Sequence, residues 1–331
     1  MTLDNRIVLF SELGDLLKSD TFSAEKQVWA NQAKNENGWF TEDNVNLALN
    51  HIANSYLNKA SLENFALKNE PKAVKTVGIV AAGNIPLVGF HDLLSVLLSG
   101  HKALLKLSSN DSFLMRSVIL KLRELNPGIS QFIEIADRLN DADAFIATGS
   151  DNSARYFHHY FGKKPNIIRK NRSSVAILTG KESDQQLRDL GNDLFFYFGL
   201  GCRNVSKVYV PAGYKFDPFF EAIEYWNTIR IHHKYNNNYD YNKSIYLVNR
   251  EDHLDNGFLL LKEDSQLVSP LGVVFYETYK DQKDLEIKLE AQKDKIQCVV
   301  GQGFIPFGQS QFPRLQDFAD GVNTMEFLST L

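Results

Sequence analysis

From Lys75 onward, short apolar runs alternate with amphipathic helical patterns, and this alternation limits the fold more than any other feature. The run "TVGIVAAG" is nearly continuous in apolar residues, as expected of a strand covered on both faces. Pro86 suits the first turn of a helix, and "LVGFHDLLSVLLSG" ends at Gly100, a normal position for a helix stop. "KALLKLSS" is the next strand, and Asn110 or Asp111 is placed to cap "SFLMRSVILKLREL". "DADAFIATGS" reads as a strand before the helix "DNSARYFHHYF", and "PNIIRK" and "SSVAILTG" are further strand candidates. Such βαβα order predicts an α/β chain with a mostly parallel sheet.

The flanks differ. Residues 1–70 carry helical signals only, including "TEDNVNLALNHIANSYL", where Thr41 is a good N-cap and Glu42 and Asp43 favour the first turn. Downstream, Ser183 or Asp184 begins a helix whose stripe Leu187, Leu190, Leu194, Phe195 and Phe198 stops at Gly199. "YWNTIRIHHKYNNNYDYNKS" is polar and aromatic, the composition of a surface excursion, before "SQLVSPLGVVFYETY" and "IQCVVG" restore strand character. At 331 residues the chain has room for roughly two domains.

Several function classes are disfavoured. A net charge of −4 gives no basic surplus for nucleic acid. No run reaches the roughly 18 apolar residues of a membrane span, and "MTLDNRIVLFSELGDLLK" lacks the basic start and cleavage site of a signal peptide, so a cytoplasmic location is expected. Two cysteines are too few for a disulfide framework, and the histidine pairs His158/His159 and His232/His233 lack metal-helix spacing, so no metal site is expected. Cys298, inside "KIQCVVG", reads as a buried inert thiol.

Four short segments could carry chemistry. Cys202 follows Gly199 and Gly201 at a helix-to-strand junction; position 204 is Asn and a strand follows, so the glycines do not form a dinucleotide fingerprint. Arg203 favours a thiolate there and the end of the preceding helix opposes it, so Cys202 is either a nucleophile or a small residue in a tight turn. Asn84 in "AAGNIPLVG" is either a helix cap or an amide donor to an oxyanion. Lys106, Ser108 and Ser109 in "KLSSND" could hold a ribose or phosphate, or be ordinary surface groups. Thr148, Gly149 and Ser150 in "ATGSDNSAR" could begin an anion site or a plain capped turn.

Taken in order, "GNIP", "KLSS", "TGS" and the Cys202 loop resemble the aldehyde dehydrogenase superfamily, whose cofactor half carries motifs such as "PWNFP", "KPSE" and "TGS" before a cysteine loop. "GNIPLVGFHDLLSVLLSG", "KLSSND", "GCRN" and "DFADGVNTMEFL" look more narrowly like its acyl-CoA reductase branch, which includes the LuxC-type fatty-acid reductases. The resemblance covers about 75–331, and the N-terminal helices fit it as well. It implies a parallel-sheet cofactor-binding domain plus a smaller α/β catalytic domain. The expected division is a helical segment over 1–70 packing on the cofactor domain, a dinucleotide-binding domain over 71–180, a catalytic domain over 181–305, and 306–331 returning to the cofactor domain.

The resemblance also implies roles. Cys202 becomes the acyl-accepting nucleophile, and Asn84, with the Cys202 backbone N–H, the oxyanion donor. Lys106 matches the lysine at the adenosine ribose, with Ser108 beside it, and Gly149 with Ser150 matches the pyrophosphate-side turn, with Thr148 before it among the expected cofactor-binding residues. Where NAD-preferring members place a ribose-binding glutamate, this chain has Ser109, which tolerates a 2′-phosphate, so NADPH is expected ahead of NADH. The water-activating glutamate of "ELGGK" has no counterpart in "IIRKNRSS", which contains no acidic residue. The implied activity is reduction of an acyl-CoA to an aldehyde through a Cys202 thioester. Aldehyde oxidation, a non-catalytic scaffold of the same fold, and Cys-His acyl transfer are the alternatives, and homo-oligomerisation is left open.

Overall fold

The computed structural model describes residues 1–67 and 70–331, so positions 68 and 69, at the end of the expected helical segment, lie outside the described residues. The chain forms two compact units, Met1–Asn171 with Pro313–Leu331, and Arg172–Phe312.

The first unit begins with α1 (Leu3–Lys18), α2 (Ser23–Glu36), α3 (Glu42–His51) and α4 (Lys59–Phe65). Thr41 caps α3 as expected, its hydroxyl accepting the Asn44 N–H at 3.3 Å. The buried face of α1, with Phe10, Leu13 and Leu17, joins the core that continues into the sheet. That sheet is assembled from β1 (Thr76–Val80), α5 (Phe90–Leu98), β2 (Lys102–Lys106), α6 (Ser112–Leu125), β3 (Ile133–Ile135), β4 (Ala144–Thr148), α7 (Asp151–Phe161) and β5 (Asn166–Arg169). Its strands run parallel in the order β3-β2-β1-β4-β5.

Two local expectations are corrected here. Pro86 does not open a helix: Leu87 has φ +57°, outside the right-handed helical region, so α5 starts only at Phe90. Asp111 occupies the N-cap position of α6 without capping it, because its carboxyl is engaged elsewhere. Glu36 at the end of α2 caps α6 instead, accepting from the Phe113 N–H at 2.9 Å and the Ser112 hydroxyl at 2.8 Å.

Residues 313–331 belong to this unit through specific polar ties. His91 Nε2 lies 2.9 Å from the Leu315 carbonyl. The buried His101 accepts the Lys75 N–H at Nδ1 (3.1 Å), which leaves Nε2–H to donate to the Leu328 carbonyl at 3.0 Å. Burial holds this imidazole below its ordinary pKa.

The second unit contains β6 (Ser173–Ile177), α8 (Asp184–Phe195), β7 (Val205–Pro211), α9 (Asp217–Ile223), α10 (His233–Asn249), β8 (Leu254–Asp255), β9 (Leu260–Glu263), β10 (Val273–Tyr279), α11 (Gln282–Gln292) and β11 (Ile296–Val300). The sheet order is β11-β6-β7-β10-β9-β8, parallel except for β8. The strand over 173–177, assigned to 71–180 from sequence, hydrogen-bonds β7 and β11, so this sheet begins before position 181. Ser183 starts α8 with a capping box shared with Gln186.

The polar stretch after Tyr225 is not an excursion. It contains α10, which buries Tyr235, Tyr239, Asn242 and Tyr246 at helical spacing. Tyr239 and Tyr246 pack with Leu260, Val273 and Phe275, so tyrosine rings provide the apolar stripe that the asparagines conceal.

Candidate functional site

In the first unit the carboxyl ends of four strands are level: Val80 pairs with both Lys106 and Ala147, and Thr148 pairs with Arg169. From β1 the chain moves outward to β2 and β3, and from β4 to β5 on the other side, which makes the β1/β4 boundary a topological switch point. Ligands of open parallel sheets bind outside the carboxyl ends at such a point.

All seven candidate residues of this unit lie at that edge. Asn84 is exposed in the loop after β1, Lys106 is exposed at the end of β2, and Ser108 and Ser109 follow it. Thr148, Gly149 and Ser150 connect β4 to α7, where the Ser150 hydroxyl accepts the Ser153 N–H at 3.2 Å. Two glycines make the edge close-packed. A Cβ at Gly83 would lie 2.6 Å from Ser108 Cβ, and one at Gly149 would lie 2.8 Å from Ser153 Cβ and 2.9 Å from the Phe157 ring.

Within "IIRKNRSS" the buried Arg169 points its charge inward. Its Nη1 donates to both Asp92 oxygens at 2.8 and 2.7 Å, and its Nη2 to Thr324 Oγ1 at 2.9 Å. The pair is therefore an internal, hydrogen-bonded ion pair rather than a source of a free base.

Cys202 sits in the second unit, in the turn between α8 and β7, and is half-buried. After α8 the backbone enters the left-handed region at Tyr197 (φ +52°), Phe198 (φ +58°), Gly199 (φ +78°) and Gly201 (φ +97°). Left-handed backbone at a residue other than glycine costs about 1–3 kcal/mol, so surrounding contacts must hold Tyr197 and Phe198. Tyr197 is buried, and the Phe198 ring stacks on His232 with centroids 4.0 Å apart.

A polar network reaches the same turn from β6 and β11. Ser174 Oγ donates to the Cys202 carbonyl at 3.0 Å and lies 3.0 Å from Cys298 Sγ. Because the one serine proton goes to the carbonyl, the Cys298 thiol is the donor to Ser174. Burial pushes the Cys298 thiol up from its ordinary pKa, with Ser174 and Arg203 pulling the other way. Cys298 is thus half-buried rather than buried and is hydrogen-bonded, while its raised pKa agrees with the inert thiol expected from "KIQCVVG". Sequence could not reveal this link, since Ser174 and Cys298 are 124 positions apart.

Asp193, on α8, is a further group that the sequence left unmarked. It is buried, with Oδ2 accepting the Gly308 N–H at 2.6 Å and Oδ1 the Ser310 N–H at 2.9 Å. Burial raises its pKa to about 6 in spite of these donors. A separate cavity of ≈ 420 Å³, lined by Val210, Tyr214, Phe216, Phe220 and Tyr276, lies at the carboxyl end of β7, whereas Cys202 precedes its amino end. Among the described residues no group of three or more His, Cys, Asp or Glu side chains is placed to hold a metal ion, and no helix is long and apolar enough to cross a membrane.

The sequence model of the acyl-CoA reductase (LuxC) family matches residues 49–219, more than half of the chain. The chain belongs to the LuxC family of acyl-CoA reductases. The matched span of this LuxC-family chain includes Asn84, the three residues of "KLSS" singled out above, the "TGS" turn and Cys202. A long-chain acyl-protein thioester reductase of Aliivibrio fischeri is 23% identical over 249 residues, 69% of this chain and 50% of that protein. The chain therefore spans half the length of this curated relative.

Solved structures establish the fold. An NAD-dependent aldehyde dehydrogenase from Sinorhizobium meliloti superposes with a TM-score of 0.67 at 13% identity, over 91% of this chain and 70% of that one. An NADP-dependent enzyme of E. coli gives 0.66 at 12% identity, over 91% and 73%. Betaine aldehyde dehydrogenase from Staphylococcus aureus, in complex with NAD+, gives 0.66 at 12% identity, over 87% and 68%. The LuxC-family chain thus has an aldehyde-dehydrogenase-like fold with two sheets.

Proposed function

We propose that this protein reduces an acyl thioester to an aldehyde with NADPH through an acyl-enzyme on Cys202. The observation that carries this is the family match over 49–219, which spans every candidate residue. The curated relative acts on acyl-protein thioesters and the family is described by acyl-CoA; the shared chemistry is the thioester carbonyl, and acyl-CoA is the substrate we favour.

In the proposed cycle the Cys202 thiolate attacks the thioester carbon, and the tetrahedral adduct expels the CoA thiolate, which leaves as the thiol after taking a proton. NADPH, when bound, would supply the hydride that reduces the resulting acyl carbon. The thiohemiacetal on Cys202 then collapses, releasing the aldehyde and regenerating the thiolate. The Asn84 amide and the Cys202 N–H are the donors we assign to the oxyanion, a contribution worth roughly a hundredfold or more per donor.

The first unit's sheet edge fits a dinucleotide. Gly83 and Gly149 leave no side chain where the backbone comes close to Ser108 and α7, and Thr148–Ser150 lead into the start of an eleven-residue helix. Lys106, Ser108 and Ser109 are the groups we assign to the adenosine ribose, and Ser109 presents no carboxylate to repel a 2′-phosphate.

Purified protein assayed with a chain-length series of acyl-CoAs, with NADPH and NADH oxidation and aldehyde measured in parallel, tests the proposal. Thioester-dependent NADPH oxidation with matching aldehyde is the expected result. Formation of a carboxylic acid from an aldehyde without CoA would replace the proposal by aldehyde oxidation.

A further inference from the structure

One buried carboxyl at the sheet edge has no part in the roles above. Asp111 is 1% exposed and stands at the start of α6, yet that helix is capped by Glu36. Its Oδ2 accepts the Leu87 N–H at 2.8 Å, and its Oδ1 has no hydrogen-bond partner among the described residues. Leu87 is itself buried and has φ +57°, a conformation that a leucine cannot support with its own side chain. Asn84 lies on this loop between the close approach of Gly83 to Ser108 and the Leu87 bond to Asp111.

We propose that Asp111 is a positioning residue for Asn84: by accepting the Leu87 N–H it holds the turn after β1 in its left-handed form and thereby fixes the Asn84 amide. The inference rests on the thioester reduction proposed above for its catalytic consequence. Asp111 touches none of the reacting atoms assigned there and acts only through the loop. Burial, opposed by the Leu87 N–H and joined by the Glu36 charge, raises the Asp111 pKa well above its ordinary value. A neutral carboxyl still accepts through its carbonyl oxygen, as an asparagine amide does.

The test is a double-mutant cycle of Asp111→Ala and Asn84→Ala, with kcat and KM read separately. Asp111→Ala is expected to lower kcat about tenfold while leaving KM for NADPH within about twofold, to add nothing further in the Asn84→Ala background, and to be rescued by Asp111→Asn. Asp111→Ala/Leu87→Gly, in which glycine supports the left-handed turn without the hydrogen bond, enters the same cycle in case Asp111→Ala does not fold, and is expected to recover part of the lost kcat. Amide hydrogen exchange over residues 82–90 reads the anchor without any assay of activity, and faster exchange in Asp111→Ala than in wild type is expected. Additive losses in the cycle, or unchanged exchange in this segment, would overturn the inference. A wild type that reduces no thioester overturns the proposed activity instead, and the exchange measurement still decides the anchor.

Discussion

The loops that carry Asn84 and Cys202 solve one problem in different ways. Each presents a candidate side chain from backbone that includes left-handed non-glycine residues, Leu87 in one and Tyr197 and Phe198 in the other. The Asn84 loop is held by one hydrogen bond to a buried carboxyl whose second oxygen is unpartnered. The Cys202 loop is held by a thiol–hydroxyl–carbonyl chain, an aromatic stack, and a helix whose own buried carboxyl has backbone donors on both oxygens. Burial raises both carboxyls: Asp193, with backbone donors on both oxygens, rises to about 6, and Asp111, with one donor and the Glu36 charge adding to burial, is raised well above its ordinary value. The two loops therefore differ in what loosens them: the first in the loss of a single acceptor, the second only when several contacts fail.

The largest effect separates nucleophile from support. Cys202→Ala is expected to lower aldehyde formation roughly a thousandfold or more and to remove acylation of the protein, read by intact mass after mixing with acyl-CoA. Substantial thioester-dependent NADPH oxidation in that variant would remove Cys202 from the proposed cycle. Next comes Asn84→Ala, expected to lower kcat about a hundredfold while the protein still becomes acylated. If both variants lose acylation equally, the loops do not have the separate roles assigned to them.

Smaller changes probe the supports. Ser174→Ala leaves the Cys202 carbonyl without this donor and the Cys298 thiol without this acceptor, at a cost of about 1–3 kcal/mol in stability, read as a fall in Tm. Cys298→Ser keeps a donor to Ser174 and is expected to lose less; equal losses would mean that packing, not the hydrogen-bonded chain, holds the turn.

A last test lies in the pH dependence of stability. Asp193 has a folded pKa of about 6 against an ordinary 3.8, so the native state binds the proton more tightly than the unfolded chain. Its stabilising contribution is complete below pH ~4 and disappears as pH rises through about 6, a change of about 3 kcal/mol at most. His101 acts in the opposite sense: its lowered pKa gives a contribution present above pH ~6.5 and lost as pH falls. Comparing Tm of wild type and Asp193→Asn between pH 4 and 7 isolates the carboxyl, and a constant difference across that range would contradict the assigned shift.

Much of this was readable from local pattern. Apolar runs bounded by turn residues marked β1, β2, β4, β5 and β6, and Thr41 and Ser183 marked the starts of α3 and α8. The candidate residues at the first unit's strand ends were legible for the same reason, since each directly follows such a run. The helix α10 was hidden because its buried stripe is made of tyrosines among asparagines, and polar composition outweighed spacing. Asp111 was misplaced as a cap because local sequence shows a suitable residue at a helix start but not a competing partner.

By itself, then, the sequence determined the alternation of strands and helices, the parallel character of the first unit's sheet and the strand-end position of the motifs, because periodicity and turn chemistry act over a few residues. Tertiary structure alone decided that residues 173–177 join β7 and β11, that Asp111 serves Leu87, and that Cys298 is linked through Ser174 to the Cys202 turn. These are hydrogen bonds between groups far apart in the chain, and their partners are chosen only when packing brings buried donors and acceptors together and makes an unpaired one costly.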